Sequence, residues 1–208
     1  MNRFTVLLLV GILALSSVAS YQPECTNYPG KPYLNATIFF HDIRNYEQNS
    51  TWYLTHGLIQ DLPYGIHELE VCLIIKPLLL SPIAIQNYTV ILPREGQIHY
   101  IEAITILNDG DSKFVTQMRE IDQHEKPLTK FVPIIQTVID TDYENYAVGY
   151  FCVERTDGLM GGNMVILGRS PNPDKIHPDV NNVLNRFGLK LSDFASTKEV
   201  HCPEVPQY

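Results

Sequence analysis

From residue 51 to residue 167 the chain alternates between apolar, β-branched-rich runs and short clusters of Pro, Gly, Asn and Asp, and this rhythm restricts the fold more than any other feature. Turn signals fall at 61–65, 77–82, 93–96, 108–111, 122–127, 140–145, 157–158 and 168–174. Between them lie Thr51–Ile59, His67–Lys76, Ile83–Leu92, Gln97–Leu107, Lys113–Glu120, Lys130–Ile139, Tyr146–Arg155 and Asn163–Leu167. Eight strand-length segments joined by hairpin-type turns describe an antiparallel meander, a sandwich or a barrel. One later segment has a different period. Pro178–Phe187 carries Val180, Val183, Leu184 and Phe187 on one helical stripe, with Pro178 suited to a first turn and Gly188 to the position after the last. A short final strand is expected near Thr197–His201. No linker-like stretch or internal repeat divides the array, and Gly161-Gly162 reads as a turn.

The first twenty residues stand apart from that pattern. Arg3 precedes an apolar run, Val6–Leu15, followed by small residues through Ser20. This is the arrangement of a signal peptide, and the run is shorter than the roughly 20 apolar residues of a bilayer span. The expectation is a cleaved leader over 1–20, a single domain over 21–208, and a secreted, extracellular product. In an oxidising compartment Cys25, Cys72, Cys152 and Cys202 are expected to form disulfides, with three connectivities open. Asn35, Asn49 and Asn87 each begin an N-x-[ST] sequon and are expected glycosylation positions. If Cys72 and Cys152 bridge to segments outside a closed barrel, strand alternation turns Leu73 and Ile75 inward, and likewise Ala147, Gly149 and Phe151. Such a barrel either holds one small ligand or is filled by its own side chains.

Charge and motif content remove other functions. Fifteen Lys+Arg against 23 Asp+Glu give a net charge of −8, opposite in sign to a nucleic-acid binder. The histidines at 41, 56, 67, 99, 124, 177 and 201 lack metal-ligand spacing, so no metal is expected. Asp140 and Asp142 are near neighbours without the look of an acid–base pair, and no nucleophile elbow or phosphate-binding loop is present. The chain reads as a binding protein rather than an enzyme.

Thr141-Asp142-Tyr143-Glu144-Asn145-Tyr146-Ala147-Val148-Gly149-Tyr150-Phe151-Cys152 resembles the second lipocalin signature, T-D-Y-x-x-Y-A-x-x-Y-x-C. Val165–Pro171 resembles the third, an apolar strand ending in Arg169. The first is recognisable in Asp42, Arg44, Tyr46 and Trp52, although Ser50 replaces its Gly and the stretch is two residues longer than usual. The resemblance is to the lipocalin family, in its apolipoprotein D-like and insect branch that includes bilin-binding and Lazarillo-like proteins. It implies an all-β, eight-stranded up-and-down barrel with one C-terminal helix. It also implies the pairs Cys25–Cys152 and Cys72–Cys202, and a structural stack of Arg169 on Trp52.

Family placement of the strand ending at Arg169 puts Val165 and Asn163 in the calyx. Alternation adds Ala147, Gly149, Ile134, Gln136, Val138, Leu73 and Ile75, while Val148 points outward. The wall so described is apolar, with Asn163 and Gln136 as its hydrogen-bonding groups. The resemblance therefore implies a secreted carrier of one small hydrophobic ligand such as a fatty acid, sterol, retinoid or bilin pigment, with no other cofactor. The alternative is a plugged barrel acting through contacts with a receptor or host factor.

Overall fold

The computed structural model describes residues 25–40, 51–59, 70–108, 110–154, 160–198, 200 and 202. The expected leader over 1–20, the first signature before Thr51 and the sequon at Asn49 lie outside the described residues. Eight antiparallel strands run β1 (Trp52–Ile59), β2 (Cys72–Leu80), β3 (Ile83–Leu92), β4 (Gln97–Ile106), β5 (Lys113–Ile121), β6 (Val132–Thr141), β7 (Tyr146–Glu154) and β8 (Met160–Gly168). Each pairs with the next, β8 pairs with β1, and β1 also pairs with β2, so the sheet closes on itself. A short helix α1 (Ala36–Phe40) precedes the strands, and a longer one, α2 (Pro178–Asn185), follows them. The chain ends with a 3-10 turn at Leu191–Asp193 and a two-residue strand β9 (Ala195–Ser196).

Alternation explains the strands. In β3, Ala84, Gln86, Tyr88 and Val90 are buried while Ile83 and Asn87 are exposed, the period of a sheet with one face on a core. The inward residues of all eight strands, with Phe39 and Phe40, belong to one core. A second core lies outside the barrel, where Val180, Val183 and Leu184 of α2 cover Val148, Tyr150, Met164 and Ile166 of β7 and β8. Helix α2 starts at Pro178, with the His177 side chain accepting from the Asp179 amide, and stops before Gly188, whose φ of 70° suits glycine.

Four expectations change. Pro77 sits inside β2 opposite Gln86 rather than in a turn, which tightens instead at Ser81-Pro82. Gly161-Gly162 lies within β8, not a turn: a side chain at Gly162 would collide with Tyr150 across the β7–β8 ladder. The final strand comes at Ala195–Ser196 rather than Thr197–His201, because Thr197 instead directs its hydroxyl to the carbonyls of Leu54 and Thr55. Helix α1 has no counterpart in the sequence reading; its five residues are too few for a helical period to show.

The seam between β1 and β2 shapes the whole structure. Only Trp52 and Tyr53 of β1 pair with β2, at Ile75 and Ile74. Farther along the same edge, His56 and Gly57 pair with Ser196 and Ala195 of β9. The C-terminal segment therefore continues the seam where β2 has left it. Cys72–Cys202 fastens that segment to the start of β2, and Cys25–Cys152 fastens the N-terminal segment to β7, with Cα separations of 5.6 and 5.8 Å. Both cysteine side chains on the strands face out of the barrel, and the implied pairing is the observed one. Thiol titration in denaturant is expected to find no free thiol. The paired substitution Cys72→Ser/Cys202→Ser is expected to cost roughly 2–4 kcal/mol in chemical denaturation, because it frees the strand that continues the seam.

Candidate functional site

One end of the barrel is sealed by aromatic packing. Phe39, Phe40, Trp52 and Phe114 converge there, with ring centroids 5.0 Å apart for Phe39–Phe40, 6.0 Å for Phe39–Trp52 and 5.8 Å for Phe40–Phe114. Arg169 closes the outside of this plug. Its guanidinium carbon lies 3.3 Å from the Trp52 ring centroid. Its N–H groups donate to the carbonyls of Thr51, Tyr143 and Glu144 at 3.0, 2.7 and 3.0 Å. Burial pulls its pKa down to about 10, against the opposing pull of Asp142. Three of its five N–H donors thus go to backbone carbonyls, which ties Arg169 to the closed end of the barrel. The loop it grips is fixed by Asp142, whose carboxylate accepts from the amides of Glu144, Asn145 and Tyr146. Burial alone would raise the Asp142 pKa, but these bonds and the Asn145 side chain hold it below the usual carboxylate range.

Above the plug, the interior has two unlike walls. The wall of β7, β8, β1 and β2 is largely apolar, with Asn163 of β8 as its buried polar member: Ala147, Phe151, Val165, Leu167, Leu54, Ile75 and Leu79 all belong to the inner core. The wall of β3 to β6 is substantially polar. Tyr88 donates its hydroxyl to the Gln86 side-chain oxygen at 2.7 Å. The Thr105 and Thr116 hydroxyls are 2.8 Å apart, and Thr116 donates to the Gln136 oxygen at 3.3 Å. All five residues are buried, and burial pushes the Tyr88 phenol well above its ordinary pKa. Toward the other end, His99 sits between Glu120 and Gln97, its ring nitrogens each 3.2 Å from a side-chain oxygen. His99 pairs with Val90, and Glu120 with Ile101. Both neighbours are core residues, so this His99–Glu120 pair faces inward, with side-chain exposures of 15% and 10%. The Glu120 backbone is itself anchored, its N–H donating to the Thr129 hydroxyl at 2.8 Å.

The nine residues expected to face the calyx all lie on the inner face. Ile75, Ile134, Val138, Ala147 and Val165 are in the inner core, and Leu73 packs against it. Gln136 and Asn163 are buried on the same face, and a side chain at Gly149 would touch Val165 and Phe151. The chemical character of the wall differs from the expectation, which gave it Asn163 and Gln136 as its polar groups. Gln86, Tyr88, Gln97, His99, Thr105, Thr116 and Glu120 also point inward. Their signal was present in the alternation of β3, β4 and β5, but no motif marked the phase of those strands. Val148 points out of the barrel as expected, yet it is fully buried under α2.

The comparisons with known proteins place this barrel. A family model described as Nitrophorin matches residues 40–206, well over half of the chain. The chain belongs to the Nitrophorin family. Triafestin-2 of Triatoma infestans is 39% identical over 75 residues, covering 34% of this chain and 35% of that protein. The match thus spans about a third of the relative's length. Among solved structures, the tryptamine complex of the amine binding protein of Rhodnius prolixus superposes with a TM-score of 0.69 at 17% identity, over 83% of this chain and 85% of that one. Insecticyanin from the tobacco hornworm Manduca sexta gives a TM-score of 0.59 at 20% identity, over 85% and 86%. These likenesses show the lipocalin fold. As a member of the Nitrophorin family, the chain raises the question of a haem, whose iron needs an axial donor such as an imidazole or thiolate. Among the described residues, the four cysteines are in disulfides. His56 sits opposite Ile166 on the outer face of β1, and both nitrogens of the inward His99 are engaged. Among the described residues, then, no inward-facing imidazole or thiolate is free of other partners to serve as that axial donor.

Two outcomes are expected. Arg169→Ala should lower stability by about 2–3 kcal/mol through lost stacking and three lost hydrogen bonds, with ligand affinity within twofold of wild type; a tenfold loss of affinity at unchanged stability would instead make it a ligand contact. The second concerns His56. Its Nδ1 is buried without a hydrogen-bond partner, and burial lowers its pKa. The unfolded chain then takes up a proton that the folded chain resists, so stability falls as pH drops below about 6.5. His56→Gln should flatten urea-denaturation midpoints between pH 7 and pH 5 relative to wild type.

Proposed function

We propose that this chain is a secreted carrier that holds one small molecule inside the barrel, and that the molecule is part hydrocarbon or ring and part polar. The observation that carries the reading is the two-sided interior. An apolar wall on β7, β8, β1 and β2 offers contact area, while the wall of β3 to β6 offers hydrogen bonds at two depths. The expected ligand classes, from fatty acids and sterols to retinoids and bilins, meet the first wall but leave most of the second unused. A ring system with a donor or cationic group toward Glu120 uses both, and the tryptamine held by the Rhodnius prolixus protein has that character. The aromatic plug confines the ligand to the half of the barrel away from Trp52. The calyx residues proposed from sequence remain the proposed contacts, joined by Gln86, Tyr88, His99 and Glu120.

Secretion is supported by the leader-like pattern over 1–20, by two disulfides, and by exposed sequon residues at Asn35 and Asn87. Among the described residues no helix is long and apolar enough to cross a membrane. Binding rather than catalysis is supported by the paired cysteines, which leave no thiol for chemistry within the calyx. The apolipoprotein D-like character of residues 141–152 remains a proposed finer kinship within the lipocalins.

The test places Trp on either face of the barrel. Gly149→Trp fills the interior against Val165. Val115→Trp adds the same bulk at an exposed outer position, Val115 being 61% exposed; Val148, beneath α2, would not serve as this control. Titrated with an uncharged fluorescent naphthylamine, Gly149→Trp should weaken binding at least tenfold, and Val115→Trp should stay within twofold of wild type. Equal binding by both variants, together with native mass spectra showing no bound small molecule in the secreted protein, would overturn the carrier reading in favour of a plugged barrel.

A further inference from the structure

The outside of the barrel is unequally covered. Helix α2 packs on β7 and β8, and Val200 of the C-terminal segment joins Cys72, Ile74 and Ile91 in a small outer core at the start of β2 and the end of β3. The opposite half of β2 and β3, with the adjoining parts of β4 and β5, carries two rows of aliphatic side chains on its outer face. Leu80 pairs with Ile83 and Ile83 with Ile106, and because Thr105 faces Thr116, Ile106 stands beside Val115. One step toward the mouth, Leu78 pairs with Ile85 and Ile85 with Ile104. Alternation turns all seven outward, since their strand neighbours Leu79, Ala84, Ala103 and Phe114 belong to the inner core. None of the seven is part of any core, and Leu80, Ile83, Ile106 and Val115 are 48%, 39%, 69% and 61% exposed.

Water-soluble monomers seldom leave a contiguous aliphatic patch of this kind open. The row bordering it points to its cover. Lys76, Asn87, Glu102 and Arg119 pair in that order across β2 to β5, and the Arg119 Nε–H donates to the Glu102 carboxylate at 2.6 Å. Asn87 is exposed in the middle of the face, and Asn87-Tyr88-Thr89 is a glycosylation sequon. Its side chain leaves the sheet on the same side as the aliphatic rows, with Ile85 and Ile83 about 7 Å and about 14 Å away along β3. A pyranose ring presents C–H groups on its faces and hydroxyls around its rim. Sugars lying along β3 from Asn87 therefore set hydrocarbon against the isoleucines and turn hydroxyls to water and to the Lys76 and Glu102 row. A second copy of the chain fits this face poorly, because a bulky sugar in the middle of each sheet would hold the two apart.

Building on the reading of the chain as secreted, the route in which such sugars are added, we propose that Asn87 carries an N-linked glycan whose first sugars lie over Ile83, Ile85, Ile104 and Ile106. The glycan is then the outer cover of β2 to β5, as α2 is the outer cover of β7 and β8. The sequon at Asn35 has a different setting. It stands at the start of α1, where the Asn35 side-chain oxygen accepts from the Ile38 amide at 3.0 Å, and its sugar is not part of this cover.

The experiment uses the full chain expressed in mammalian cells that add high-mannose glycans. One portion is trimmed after folding with endoglycosidase H, which leaves a single N-acetylglucosamine at each occupied site, so no variant has to fold without its sugar. Peptide mass spectrometry should find Asn87 occupied before trimming. Carbene footprinting should then label Ile83 and Ile106 at least threefold more in the trimmed protein, with Leu128, in the loop between β5 and β6 and 50% exposed, unchanged as the internal reference. Asn35→Gln, left untrimmed, should label like wild type, and Asn87→Gln should label like the trimmed protein. An unoccupied Asn87 in the secreted protein overturns the proposal while the carrier reading stands. Labelling that does not change on trimming, or that rises at Ile98 nearer the mouth instead, shows a sugar directed elsewhere and also overturns it. So does a dimer in sedimentation of the untrimmed protein whose Ile83 and Ile106 become labelled on dilution, since a second copy is then the cover. A chain retained in the cell with its leader uncleaved defeats the secreted reading and this proposal together.

Discussion

Every ladder in this molecule depends on β1 having a partner on each edge. A sheet of eight strands with β1 free on one side would expose a row of unpaired N–H and C=O groups beside an apolar interior. Pairing of β1 with β8 runs from Tyr53 to Ile59, broken by one irregularity between Leu54 and His56. Pairing with β2 stops after two residues. What remains of that edge is covered by β9 and by Thr197, which reaches the carbonyls of Leu54 and Thr55. The disulfide at Cys72 is thus more than an unfolded-state restraint. It holds the covering segment where β2 departs, and the chain's last described residues become part of the wall that encloses the calyx.

Closure also divides the work between the two ends. Near Trp52, side chains satisfy each other: rings pack against rings, and Arg169 spends its donors on backbone carbonyls. Toward the mouth, polar groups are paired in strand-to-strand relays from Gln97 through His99 to Glu120. The barrel is thus unlike at its two ends, an aromatic solid at one and polar side chains at the other. This asymmetry follows from which strand ends meet α1, since Phe39 and Phe40 fill the interior at one end and no described helix does so at the other.

Much of this was legible in the residues, and the reasons differ by region. The strand at Tyr146–Glu154 was readable because its motif fixes phase: once Cys152 is outside, Ala147 and Gly149 must be inside. The neighbouring β6 and β8 inherit that phase through pairing, which is why the inward orientation of Gln136, Val138, Asn163 and Val165 was readable. Strands β3 to β5 carry no such marker. Gln86 flanked by Ile85 and Asn87, or Glu120 between Arg119 and Ile121, looks from composition like the solvent side of an amphipathic strand. A buried carboxylate beside a buried imidazole is invisible until the ladder brings residues 99 and 120 together across β4 and β5. Pro77 misled for a related reason. From composition a proline reads as a turn residue, and only the β2–β3 ladder shows Pro77 inside the strand, opposite Gln86. Helix α1 escaped because five residues give too few turns for a period to register.

The chemistry of the interior is set by which residues each strand turns inward. Strands β3 to β6 turn in Gln86, Tyr88, Thr105, Thr116 and Gln136, which bond to one another through hydroxyls and amide oxygens. Strands β7, β8, β1 and β2 turn in mainly hydrocarbon, with Asn163 of β8 as the buried exception. Desolvating the first set costs free energy that hydrogen bonds among its members offset, whereas a lone polar group in such a wall would leave that cost standing. Clustering the polar residues on neighbouring strands is therefore what lets the barrel carry them at all, and it gives the interior a directional side that an all-hydrocarbon lining would lack.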